Sequence, residues 1–213
     1  MTSDDDFRRL LQERADAAEI ALNPLVANGL AAYFKLLTHW NDRINLTSLP
    51  LEPPTAQAVD RLLIEPLVAA SVVKPNIAIW FDLGSGGGSP AIPLQLAHPA
   101  QRLILVESKE RKAAFLREVI RELPVDGAEV QVSRIEDVAA EVHNAGVAEL
   151  ITVRAVRLEA SLFSWIQSLL RFGGQAILFG AEGMISHLPR GLELTDAFGT
   201  AGRGTVVLRR TGL

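Results

Sequence analysis

A doubly wound, mostly parallel α/β sheet is the fold this sequence predicts, and three observations predict it. Short apolar runs and helical patterns alternate five times over residues 76–180, the pattern of strands joined by crossover helices. The first run ends in an acid and a glycine cluster, Asp82-Leu83-Gly84-Ser85-Gly86-Gly87-Gly88. The closing segments, Gly191–Leu194 and Gly204–Arg209, read as a terminal antiparallel hairpin around a glycine-containing loop.

The elements follow in order. Residues 1–75 form an N-terminal helical region. Phe7, Leu10, Leu11 and Ala15 recur at helical spacing after an acidic start, where negative charge favours a helix N-terminus. Asn23-Pro24 is an N-cap followed by a first-turn proline. Leu30, Phe34, Leu37 and Trp40 continue one apolar face. Thr55 caps a third helix carrying Leu62, Leu63, Leu67 and Val68, with Pro66 expected to kink or interrupt it. Residues 76–213 form the α/β domain, packed with that region as one unit. Its strands are Ile77–Phe81, Leu103–Val106, Glu129–Val132, Leu150–Val153 and Gln175–Phe179. Its helices are Pro90–Ala97, Lys109–Leu123, Ile135–Glu141 and Leu158–Phe172.

Composition limits the function. The 213 residues include no cysteine, which excludes disulfides and thiolate metal sites. His39, His98, His143 and His187 show no metal-ligand spacing, so no metal is expected. A net charge of −4 argues against a protein that coats nucleic acid, yet leaves room for one basic face. The acidic start is no secretory signal, and no apolar stretch approaches the roughly 20 residues of a membrane span. A cytoplasmic location, no membrane partner and a monomer are the expectations.

In open α/β sheets ligands sit beyond the carboxyl ends of the strands. The loop Asp82–Pro90 lies there; Gly84 and Gly86 let backbone approach a ligand closely. Glu107 ends the second strand about 20 residues later, where an acid accepts bonds from ribose hydroxyls. As a strand-end carboxylate it is expected to lie outside the core. Ile135 could pack on an adenine face, and Glu136 or Asp137 could meet its amino group; a plain capping turn reads equally well. Gly86-x-Gly88-x-x-Ala91 also fits a dinucleotide pattern. Asp82 would repel a pyrophosphate there and suits a cationic cofactor, S-adenosylmethionine.

Four segments then resemble one family, the small-subunit ribosomal RNA guanine-N7 methyltransferases, or glucose-inhibited division protein B family. Trp40-Asn41 with Asn45-Leu46-Thr47 resembles its W-N-x-x-x-N-L-T helix end. Asp82–Leu94 resembles its D-x-G-[ST]-G-x-G-x-P-G-I-P-L loop. Glu107-Ser108 with Lys109, Arg111, Phe115 and Leu116 resembles its second-strand end and K-R-x-x-F-L helix. Thr152-Val153-Arg154-Ala155 resembles its S-R-A turn. The resemblance implies a class I methyltransferase fold, S-adenosylmethionine as cofactor, and small-subunit ribosomal RNA or the small ribosomal subunit as partner. It implies cofactor contacts from Gly84, Ser89, Ile135, Glu136 and Arg154. Read without it, Arg154 is a structural ion-pair partner of Asp82 or Glu107.

The chain departs from the family at several positions, and those at Arg61–Pro66 and Phe179 fall on the substrate side. The family's H-I-L-D-S stretch is Arg61-Leu62-Leu63-Ile64-Glu65-Pro66 here, its K-G is Phe179-Gly180, and Ser89 replaces a bulky apolar residue. A small-molecule acceptor, another RNA, or a non-catalytic cofactor-binding role are the alternative readings. Guanine N7 has a free lone pair and loses no proton on methylation, so no catalytic residue is assigned. RNA would meet Lys109, Arg111, Lys112, Arg117 and Arg121, with Arg154, Arg157, Arg209 and Arg210 adding to the face; a solvated helix balanced by Glu110, Glu118 and Glu122 is the plainer reading.

Overall fold

The computed structural model describes residues 4–181, 188–199 and 204–212; His187 lies outside them. Seven strands form one sheet in the order β3-β2-β1-β4-β5-β7-β6. They are β1 Ile79–Leu83, β2 Arg102–Val106, β3 Ala128–Gln131, β4 Ala148–Arg154, β5 Leu170–Phe179, β6 Leu192–Phe198 and β7 Thr205–Arg210. The first five run parallel; β7 pairs antiparallel with β5, and β6 with β7.

The helices are α1 Asp4–Ala17, α2 Pro24–Asn41, α3 Ala56–Val59, α4 Glu65–Ala69, α5 Ala91–Ala97, α6 Glu110–Glu122, α7 Ile135–Ala140 and α8 Ala160–Leu169. Asn23 caps α2 by accepting from Leu25 N, and Thr55 caps α3 by accepting from Ala58 N. A π-turn over Asp60–Ile64 joins α3 to α4. Pro66 has no N–H to give, and the chain around it is irregular rather than one continuous α-helix.

Alternate strand residues face two cores. Trp80, Leu103, Leu105, Leu150 and Ile177 pack with α1, α2, α5 and α6. Phe81, Leu83, Ile104, Ile151, Val153 and Leu178 pack with α8. Both faces are covered, so the strands read as nearly continuous apolar runs.

Several boundaries move from their predicted positions, and strand pairing accounts for two of the shifts. The first strand runs two residues further than expected, because Asp82 and Leu83 pair with Leu105 and Val106 and are buried. The last long helix ends at Leu169, not Phe172. Leu170 already pairs with Ala148, and a register shift follows before Leu150 pairs with Gln175. The apolar run through Leu169-Leu170 fits either state locally; pairing with β4 decides for strand.

Candidate active site

The sheet reverses direction of growth at β1, which has β2 on one side and β4 on the other. Such a switch point opens a crevice at the strand C-termini. Here the crevice is a cleft of about 550 Å³ between the loop after β1, the end of β4 and the turn after α2.

Backbone bonds shape the glycine loop. Gly84 N and Ser85 N donate to Val106 O at 2.9 and 3.0 Å, and Gly88 N donates to Ser85 O at 2.7 Å. Gly84 stands at φ +77°, where a side chain would be strained. The N-terminal helices brace the loop from outside. The Tyr33 hydroxyl donates to Gly87 O at 2.5 Å. Asn41 Oδ1 accepts from both Leu46 N and Thr47 N at 2.9 Å, and so folds the turn that lies over Gly87. A Cβ on Gly87 would sit 3.3 Å from Leu46 O. The resemblance in Trp40–Thr47 therefore has a physical basis: this segment walls the cleft.

Glu107 is 7% exposed, contrary to the expectation that it lies outside the core. Its Oε2 accepts from Gly86 N at 2.9 Å and its Oε1 from Lys109 N at 2.7 Å. Glycine gives the loop a bare amide there, and the acid at the strand end turns inward to meet it. The carboxylate thus fixes the loop to β2 while lining the cleft.

Asp82 is fully enclosed. Thr152 Oγ1 donates to its Oδ1 at 2.5 Å, and Trp80 Nε1 donates to Thr152 Oγ1 at 2.8 Å. Burial dominates and pushes its pKa up to about 6, against the hydrogen bonds from Thr152 and Ser85 and the field of Arg154. Its Oδ2 is buried with no hydrogen-bond partner among the described residues.

Arg154 pairs with neither Asp82 nor Glu107. Its Nη1 donates to Arg61 O at 2.6 Å and lies 3.0 Å from Glu65 Oε2, and its guanidinium stands 4.6 Å over the Phe179 ring. Its side chain is 11% exposed, and burial pulls its pKa down despite Glu65. Positions 61, 65 and 179, separate in sequence, are thus one cluster around one guanidinium. Glu65 was not singled out from the sequence, since nothing local ties it to β4.

Gly84, Gly86, Ser89, Glu107 and Arg154 line the same cleft, as does Lys112. Ile135 and Glu136 stand outside that lining. The Ile135 side chain reaches within 4.0 Å of where a Gly84 Cβ would be, and Glu136 turns to Arg134 at 3.3 Å on the surface. Ser89 Oγ donates to Leu62 O at 2.8 Å. Arg210 does not join the basic face: β7 runs antiparallel, which carries it to the far end of β5, over Phe172. Arg117 and Arg121 pair with Glu110 and Glu122, at 3.7 and 3.0 Å. No cluster of metal ligands occurs among the described residues.

A parallel sheet closed by a terminal hairpin, with a glycine loop at its switch point and an acid at the end of β2, defines a class I methyltransferase. The family described as GidB, rRNA small subunit methyltransferase G, matches residues 27–184, and the chain belongs to it. A ribosomal RNA small subunit methyltransferase G of Stenotrophomonas maltophilia is 34% identical over 186 residues, 84% of this chain and 82% of that protein. One from Chloroflexus aggregans is 34% identical over 200 residues, 94% of this chain and 79% of its own length. Among solved structures, TYW2 of Pyrococcus horikoshii in complex with MeSAdo shares the fold at TM-score 0.53 and 19% identity, over 68% of this chain and 60% of that one.

Proposed function

We propose that this methyltransferase moves the methyl group of S-adenosylmethionine to N7 of a guanine in small-subunit ribosomal RNA, working in the cytoplasm on the small ribosomal subunit. The observation that carries the reading is the convergence of the glycine loop, Glu107 and Arg154 on one cleft at the switch point of a chain of this family. Among the described residues no helix is long and apolar enough to cross a membrane.

The residues present fit that cofactor. Glu107 offers carboxylate lone pairs at the strand end to ribose hydroxyls, beyond the two it gives to Gly86 and Lys109. Asp82, buried near the end of β1, adds negative charge close to the cleft that suits a cationic amino-acid end. When bound, the cofactor supplies an electrophilic methyl on a sulfonium, which N7 takes through its own lone pair with no proton to lose. The chain's contribution is orientation and electrostatics. Gly84 and Gly86 let the loop backbone close on the ligand. Glu65 and Phe179 hold the Arg154 side chain still at the acceptor end. Water exclusion falls to the wall of Leu46, Thr47 and Leu49.

The test is to incubate the protein with labelled S-adenosylmethionine and small ribosomal subunits that lack the modification, alongside bare RNA, and to map the label. Label on guanine N7 is expected. No transfer under conditions where the cofactor binds would overturn the reading and favour a different acceptor.

A further inference from the structure

Two guanidinium groups meet at the acceptor end of the cleft, and the structure treats them differently. Arg154 is committed: Nη1 is bonded to the Arg61 carbonyl at 2.6 Å, Glu65 is beside it at 3.0 Å, and Phe179 lies under it. Arg61 is held loosely. Among the described residues its guanidinium meets one carboxylate, with 3.9 Å between its Nε and Glu65 Oε1, and its side chain is 23% exposed. Its Nη2 lies 3.6 Å from where a Cβ on Gly180 would stand, so it rests over a residue with no side chain. One carboxylate serves both cations, which leaves an excess positive charge among residues 61, 65 and 154. Asp82 and Glu107 do not cancel it by contact: Asp82 is bonded to Thr152, and Glu107 to the amides of Gly86 and Lys109. Arg154 Nε and Nη2 are also buried without hydrogen-bond partners among the described residues.

We propose that Arg61 is the anion-binding residue at the acceptor end of this cleft, and that it takes a backbone phosphate beside the target nucleotide. The proposal rests on the RNA acceptor proposed above. A guanidinium fork matches phosphate oxygens and remains charged at all working pH. Contact with the guanine itself is the poorer option, because donation to N7 would occupy the lone pair that must take the methyl group. Phosphate contacts set register without reading sequence. The resemblance expects a lysine where Phe179 stands. In this chain the ring at 179 supports Arg154 instead, and the loosely paired cation is Arg61, against the adjacent Gly180.

The experiment compares the wild type with Arg61→Ala and Arg61→Lys. Binding of a single-stranded RNA oligonucleotide is measured across a salt series, and methyl transfer to undermethylated small subunits is measured beside it. Arg61→Ala should weaken RNA binding and raise the subunit KM roughly five- to tenfold, and should lower the salt slope by about 0.7–0.9, one phosphate contact. Its cofactor affinity and unfolding midpoint should hold, because Arg154 is bonded to the backbone carbonyl of residue 61, not to its side chain. Arg61→Lys should retain most of the slope. An unchanged salt slope in Arg61→Ala overturns the proposal, as does a loss of stability matching the loss of binding. Failure of the function itself reads differently: the wild type would transfer no methyl group, while the oligonucleotide arm would still report on Arg61.

Discussion

The Ser89 hydroxyl donates to the Leu62 carbonyl, 2.8 Å away, and so ties the loop before α5 to the π-turn before α4. Two departures from the family pattern, at 89 and in the stretch from 61 to 66, are thus joined by one hydrogen bond.

Ser89→Ala should accordingly cost about 1 kcal/mol of stability, the usual worth of a hydrogen bond whose acceptor is left buried. Urea unfolding checks it. No change in the unfolding midpoint would mean that this bond adds nothing to stability.

Glu107→Ala should act on both stability and binding. The two loop amides lose their acceptor, so the unliganded protein should lose about 1–3 kcal/mol. Affinity for S-adenosylmethionine, measured by calorimetry, should fall by about 1.5–3 kcal/mol, as for hydrogen bonds to a charged group. Unchanged stability would mean that the loop holds its shape without the carboxylate.

Asp82 makes stability depend on pH with a definite sign. Its folded pKa is raised from 3.8 to about 6, so between those values the folded state holds more protons than the unfolded one. Stability then falls as pH rises from about 4 through 6, and the cost stays above that. Asp82→Asn keeps an acceptor for Thr152 and removes the charge. Its unliganded form should be more stable than wild type at pH 8, by up to about 3 kcal/mol, and equal near pH 4. Thermal unfolding at both pH values checks this; cofactor affinity should fall in the same variant.

Gly87→Ala should disturb the cleft without touching a charged group. The new methyl would meet Leu46 O and Leu37 Cδ1, each at 3.3 Å. The Asn41-bound turn is fixed and yields little, so the loop must shift. Weaker cofactor binding with a smaller loss of stability is expected from calorimetry and thermal unfolding together.

Much of this protein is local in the chain. The alternation of apolar runs with helical periodicity gives the strands and helices within a few residues, because each pattern reports burial one element at a time. Asn23, Thr55 and the glycines after Leu83 are equally local, since caps and tight turns depend on the residue that forms them. That Glu107 faces the cleft was legible from its place after β2, although its burial was not: burial depends on where the Gly86 amide arrives.

What the sequence alone determined is the sheet, its helices, and the loop with its acid. The tertiary structure decided which residues share the cleft. Arg61, Glu65, Arg154 and Phe179 come from the segment before the sheet, the end of β4 and the end of β5, and no periodicity links them. Their meeting depends on the strand order, which sets β4 beside β1 and β5 beside β4, and on the π-turn that brings the Glu65 carboxylate to Arg154. A buried guanidinium is stable only with partners close by, and partners distant in sequence become neighbours only when the chain has folded.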